Sequence, residues 1–160
     1  AWLQANSSDY VTLRLSWMFG MAMPGVKPSP GIVGNVLKAM RSNTPTKFTV
    51  NEKRGMTYAQ QLADNFAAIC ELESGTYHFA AANGSNAGDG MSTYECAKLV
   101  ARKLGYGEAD IERLILPNPD RYADRFRDFR LDASRLEGCG IKLGTFEDNV
   151  DRCLADFGWT

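Results

Sequence analysis

Apolar Val11, Leu13 and Leu15 alternate with Thr12, Arg14 and Ser16, which predicts a strand. That strand ends at Ser16-Trp17 and enters a loop rich in Gly, Met and Pro, running from Met18 to Gly31. Ile32, Val33, Val36, Leu37 and Met40 then recur at helical spacing, and Ser42-Asn43-Thr44-Pro45 stops the helix after about Arg41. Lys47 to Val50 reads as a short strand and Asn51 to Gly55 as a polar turn. Tyr58, Leu62, Phe66 and Ile69 trace one face of a helix that would reach Leu72. Thr76 to Ala80 is a candidate buried strand.

The second half repeats the alternation. Ser92 and Glu95 form an S-x-x-E capping box, followed by inward Ala97, Val100, Ala101 and Leu104, with Gly105 as the stop. Leu114 to Leu116 is a strand candidate ended by Pro117 and Pro119, and Asp132 can cap a short helix through Glu137. Phe146, Val150, Cys153, Leu154 and Phe157 stripe a final helix with Thr145 at its N-cap. Residues 1–6 read as the end of a helix with no cap before it, so the expectation is a natural chain that is longer at this end. Strands alternating with helices predict an α/β fold with a largely parallel sheet.

Composition changes this picture little. The chain has 160 residues, the scale of one domain. Its 18 basic and 19 acidic residues leave no positive excess to drive nucleic-acid binding. No apolar run approaches the roughly 18–20 residues that span a bilayer. The four cysteines form no C-x-x-C pair and there is one histidine, so no zinc-type ligand spacing is present. The expectation is four buried, reduced thiols, a cytoplasmic location and no metal.

Four features carry candidate chemistry. Gly84-x-x-x-Gly88-x-Gly90 lies between a strand and a helix, but the cap at Ser92 puts the glycines before the first turn. A surface loop is therefore the reading preferred over a dinucleotide fingerprint. His78 sits in a buried strand with no nucleophile motif beside it, and a packed, hydrogen-bonded side chain is expected. Trp17 at a strand tip is either core or a flat wall for a sugar or base. Arg54, and Arg125 within DRFRDFRLD, are either solvated surface charge or two guanidinium forks that converge on one diphosphate.

Five stretches, RLSWMFG (14–20), RGMTYAQQLAD (54–64), GTYHFA (75–80), STYE (92–95) and RLDASRL (130–136), occur in an order and spacing that resemble a known family. The chain is similar to the C-terminal half of the extended short-chain dehydrogenase/reductases, nearest the dTDP-4-dehydrorhamnose reductase branch. The resemblance implies the C-terminal part of an NAD(P)-binding Rossmann-like protein, with a partial parallel sheet and a small substrate-binding subdomain. Residues 1–20 would complete the Rossmann sheet, and 21–160 would form most of one sugar-nucleotide-binding domain. It implies that Ser16 and Trp17 lie near the nicotinamide and the sugar, with Ser16 the one coenzyme contact, and that Arg54 and Arg125 hold the diphosphate of a dTDP- or UDP-linked sugar. Gly31-Ile32-Val33 stands where the family has an asparagine, and Phe126 where it has a proline.

The family's N-terminal glycine fingerprint and Tyr-x-x-x-Lys pair are absent from these 160 residues; Tyr10 and Arg14 lie in the strand itself. NAD(P)H is thus the expected coenzyme of a full-length parent, and no catalytic residue or bound cofactor is expected in this chain alone. The missing N-terminal half is the expected partner. An open edge at Val11 would promote a homodimer or be covered by residues 1–6. The alternative is a non-catalytic interaction protein of the same family, similar to the regulatory subunit of methionine adenosyltransferase. No nucleic-acid or membrane partner is expected.

Overall fold

The computed structural model describes residues 2–21, 25, 31–82 and 90–159. It begins with the short helix α1 (Trp2–Asn6), followed by β1 (Val11–Leu15) and β2 (Trp17–Phe19). Helix α2 (Gly31–Arg41) leads to β3 (Thr46–Thr49), β4 (Glu52–Arg54) and β5 (Met56–Tyr58). Two single-turn helices, α3 (Gln60–Asp64) and α4 (Phe66–Cys70), precede β6 (Gly75–Phe79). The chain closes with α5 (Thr93–Lys103), α6 (Glu108–Leu114), β7 (Ile115–Asn118), β8 (Arg127–Phe129), α7 (Ser134–Gly138) and α8 (Phe146–Asp156).

Every strand pair among the described residues is parallel: β1 with β6, β2 with β5, β3 with β7 and β4 with β8. The fold is therefore α/β with short parallel sheets, as the alternation predicts. The expected first strand is longer than its pattern, because it continues through Ser16 into β2 and changes partner there. Val11–Leu15 runs beside Gly75–Phe79, whereas Trp17–Phe19 runs beside Met56–Tyr58. Ser16 N–H still donates to Phe79 O at 3.2 Å, so Ser16 is the point of exchange.

The three long helices form as their patterns dictate. Helix α2 buries Ile32, Val33, Val36, Leu37 and Met40 on one face. Helix α5 carries the expected capping box, with Ser92 accepting from Glu95 N–H and Glu95 accepting from Ser92 N–H. Helix α8 has the same device from Thr145 and Asp148, and buries Phe146, Val150, Cys153 and Leu154. Together with Phe19, Phe48, Met56, Ile111 and Ile115 these side chains form the main core. A second core under β1 and β6 gathers Ile69, Tyr77, Phe79, Leu136, Ile141 and Leu143.

Several expectations need correction. The helix expected from Tyr58 to Leu72 is broken: Tyr58 belongs to β5, Asn65 interrupts the turns, and Phe66 is 61% exposed. Asn51–Gly55 is not a plain turn, since Glu52–Arg54 pairs with Arg127–Phe129. Leu114 ends α6, which the sequence pattern missed, and β7 continues through Pro117. Cys96 and Cys153 are buried as expected, but Cys70 and Cys139 are exposed; all four are free. The glycines at 84 and 88, and most of the proline loop after Met21, fall outside the described residues.

Candidate functional site

A cavity of about 480 Å³ lies along β2 and β3, within the range of small-molecule sites. One wall is β2, with Trp17, Met18 and Phe19; the opposite wall is β3, from Thr46 to Thr49. Gly31, Ile32 and Asn35 from the first turn of α2 close one side. Glu52, Met56, Thr93, Asn118 and Arg121 complete the lining. Thr49 and Asn118 are register partners at the C-terminal ends of β3 and β7, the end at which open α/β sheets take ligands. The surface is apolar at Phe19, Phe48 and Met56, and polar where hydroxyl, amide and charged groups reach it.

Trp17 lines this cavity and remains 46% exposed. The Arg54 guanidinium lies over its ring, 4.2 Å from the centroid, and also over the Phe129 ring at 4.6 Å. The β4–β8 register sets this up, because Arg54 and Phe129 are directly paired. Phe129 in turn meets Tyr122 edge-on, with centroids 6.0 Å apart. Cation and aromatic groups thus stack from Trp17 at one wall of the cavity toward Arg121, whose guanidinium is 5.1 Å from the Tyr122 centroid.

Glu52 is the buried anion of the site, 1% exposed. One carboxylate oxygen accepts from Thr93 Oγ1 at 2.9 Å, and the other accepts from Arg54 Nε at 3.1 Å and from Arg54 Nη2. Arg54 itself is 15% exposed, so this ion pair is largely removed from water.

Arg121 reaches the cavity because its turn is tied down twice. Asn118 Oδ1 accepts from the backbone N–H groups of Asp120 and Arg121, and Asn51 Nδ2 donates to Pro119 O at 2.7 Å and Arg121 O at 3.3 Å. Its hydrogen bond to the Tyr122 hydroxyl raises the guanidinium further above its ordinary value, so it stays charged. Lys47, 3.7 Å from Asp120, adds a second exposed cation at the rim.

The structure brings Trp17 and Arg54 into contact, but of the two only Trp17 is in the cavity lining; Arg54 lies outside it, joined to the lining through Trp17 and Glu52. Arg125 is exposed and lies outside the cavity lining, whereas Arg121, four positions earlier, is in it. Ser16 also lies outside that lining; its hydroxyl is 3.1 Å from Thr57 Oγ1. Sequence reasoning missed Glu52, Thr93 and Arg121. The available signal for Arg121 was its place just after a strand and a Pro-Asp turn. His78 is hydrogen-bonded as expected, its Nδ1 2.9 Å from Asp132 O. Burial pushes the Cys153 thiol up to about 11 and Cys96 further, so neither is an activated nucleophile.

Ser16 offers one hydroxyl, already engaged by Thr57, and the one glycine of the described lining is Gly31 at the start of α2. Among the described residues no group of three or more His, Cys, Asp or Glu side chains could hold a metal ion, and no helix is long and apolar enough to cross a membrane.

Short parallel strands and helices around a ligand-sized cavity define an α/β fold of the small-molecule-binding kind. The chain belongs to the RmlD substrate binding domain family, whose model matches residues 1–158. Its fold is similar to dTDP-4-dehydrorhamnose reductase from Bacillus anthracis, solved with NADP, at a TM-score of 0.69 and 16% identity, over 96% of this chain and 50% of that one. The Yersinia enterocolitica dTDP-4-dehydrorhamnose reductase gives 0.64 and 18%, over 92% and 49%. UDP-glucose 4-epimerase from Thermotoga maritima, solved with UDP-glucose, gives 0.64 and 17%, over 93% and 46%. The chain therefore spans about half the length of these structures. No curated protein sequence matches it.

Proposed function

We propose that this chain is the sugar-nucleotide-binding half of an NAD(P)H-dependent reductase acting on a dTDP- or UDP-linked 4-keto sugar. The observation that carries the reading is a ligand-sized cavity lined by Trp17 and Arg121, with the Arg54 guanidinium against the Trp17 ring. A planar aromatic face suits a sugar or base, and guanidinium groups suit a diphosphate. Arg121 and Lys47 supply further positive charge at the same hollow, and Arg125 supplies it nearby on the surface. Membership of the RmlD substrate binding domain family supports the substrate class.

In this reading the coenzyme and the proton donor come from the other half of the parent protein, the principal partner. Ser16 meets the nicotinamide edge across that junction. The 160 residues alone carry neither the glycine fingerprint nor the Tyr-x-x-x-Lys pair, so the isolated chain is inactive. The open edge of β1 serves the junction and, in the isolated chain, a homodimer. Four free thiols favour a reducing compartment, the cytoplasm.

Calorimetric titration with dTDP and UDP tests the reading. Saturable binding that is lost in Trp17→Ala and in Arg54→Ala variants of unchanged circular dichroism is the expected result. Absence of binding by the wild-type chain would overturn the substrate assignment. NADPH oxidation by this chain with a dTDP-4-keto sugar would overturn the assigned inactivity.

A further inference from the structure

We propose that Glu52 is a positioning residue: it fixes the Arg54 guanidinium against Trp17 and Phe129, and thereby sets the orientation of the Trp17 face that the cavity presents. The inference rests on the functional reading above for its ligand, but the clamp itself stands on geometry. Arg54 is held on three sides. The Trp17 and Phe129 rings both lie against it, at 4.2 and 4.6 Å, and Glu52 accepts from Nε and Nη2 along one edge. Stacking on an aromatic face leaves a guanidinium free to rotate in its own plane. A carboxylate on the Nε edge removes that freedom, since two donors must meet one acceptor.

Glu52 is itself fixed. Its side chain is 1% exposed, and Thr93 Oγ1 donates to its other oxygen at 2.9 Å. Thr93 is the first residue of α5, directly after the capping residue Ser92, and Ser92 makes an antiparallel bridge to Lys53 on β4. The rigid start of a long helix therefore holds the carboxylate, the carboxylate holds the guanidinium, and the guanidinium holds the indole. A buried carboxylate that served only stability could be replaced by a neutral group of the same shape with no effect on the indole.

The test uses the full chain in a Trp2→Phe, Trp159→Phe background, which leaves Trp17 as the one tryptophan. Acrylamide quenching of Trp17 and calorimetry with dTDP are measured side by side. Glu52→Gln is expected to raise the quenching constant about twofold and to weaken dTDP binding about tenfold, with unchanged circular dichroism. Glu52→Asp keeps the charge but withdraws it by one methylene, and is expected not to rescue either readout. Thr93→Val removes the hydroxyl while leaving the ion pair; it is expected to move both readouts the same way by less, and it decides the matter if Glu52→Gln fails to fold. Unchanged Trp17 quenching in the folded variants, or full rescue by Glu52→Asp, would overturn the proposal. If the wild type binds no dTDP, the ligand assignment falls, and the quenching series still decides the clamp.

Discussion

Gly55 packs against the carbonyl of Ala81 so closely that a β-carbon at position 55 would lie 2.9 Å from that oxygen. The carbonyl has little room to retreat. Ala81 N–H is held by Thr57 Oγ1 at 2.8 Å, and Ala82 N–H by Gly144 O at 2.9 Å. Gly55 is also the hinge between Arg54 on β4 and Met56 on β5, so strain here is transmitted to the site.

Gly55→Ala should therefore destabilise the chain by about 1–3 kcal/mol through overpacking. Gly138, at the end of α7, is the control, because a β-carbon there meets nothing within 4 Å. Gly138→Ala should be neutral or slightly stabilising. Urea unfolding of the two variants checks the contrast; equal midpoints would show that Ala81 yields without cost.

Removing Arg54 should cost more than removing its charge partner. Arg54→Met strands the Glu52 carboxylate, 1% exposed, and leaves it the hydrogen bond from Thr93 Oγ1. Such a half-broken buried pair typically costs about 3–5 kcal/mol. The double variant Glu52→Gln, Arg54→Met no longer buries an uncompensated charge and should recover part of that loss. A double-mutant cycle by chemical denaturation measures the coupling. Additive costs would mean that water already reaches Glu52 freely.

The contrast between the two halves of this site explains what could be read in advance. Ser92 with Glu95, and the apolar stripes of α2, α5 and α8, are local patterns, and the structure keeps them except at Phe157, which follows the end of α8 and is 37% exposed. Thr145 was legible as a cap for the same reason, although its N3 partner is Asp148. Strands β4 and β8 are three residues each, and their pairing joins Glu52 to Arg127 across the chain. No window of sequence encodes that register, so the Arg54–Phe129 stack was invisible. Trp17 and Arg54 were legible as residue types, but the Glu52 that joins them was hidden in what resembled a polar turn. Phe66 misled because its spacing from Tyr58 is helical, whereas Tyr58 ends a strand and the helix phase starts afresh at Gln60.

Acid should weaken the fold through its caps. Asp148 accepts from the Thr145 backbone N–H at 2.8 Å and from its hydroxyl at 2.7 Å, which lowers its carboxyl below the ordinary 3.8. Asp64, Glu108, Asp128 and Asp132 are lowered as well, by hydrogen bonds with Gln60, Arg102, Arg130 and Ser134. A depressed folded-state value means the stabilisation is fully present above the unfolded value. It is then lost as pH falls through the folded one. Urea midpoints should therefore hold from neutral pH down to about 4 and decline below it. Asp148→Asn should lie below wild type at neutral pH and converge on it in acid. A constant gap across the range would show that the cap's charge is not linked to folding.

Asn149 should be the least replaceable polar residue of α8. It is fully buried, and its amide meets three backbone groups. Oδ1 accepts from Tyr58 N–H at 2.9 Å, while Nδ2 donates to Leu143 O at 2.6 Å and Thr145 O at 2.8 Å. These bonds tie the end of β5 to the start of α8, and β5 is the strand that pairs with β2 beneath Trp17. Asn149→Leu keeps the volume but strands a backbone donor and weakens two acceptors, each buried orphan costing about 1–3 kcal/mol. Asn149→Asp keeps the Tyr58 bond and loses both Nδ2 donations, placing a carboxylate against two carbonyls, so it should be no better. Both variants should unfold at lower urea and speed amide exchange at Tyr58 first. Protection at Tyr58 that survived in either would mean that the β2–β5 pair holds the cavity wall without help from α8.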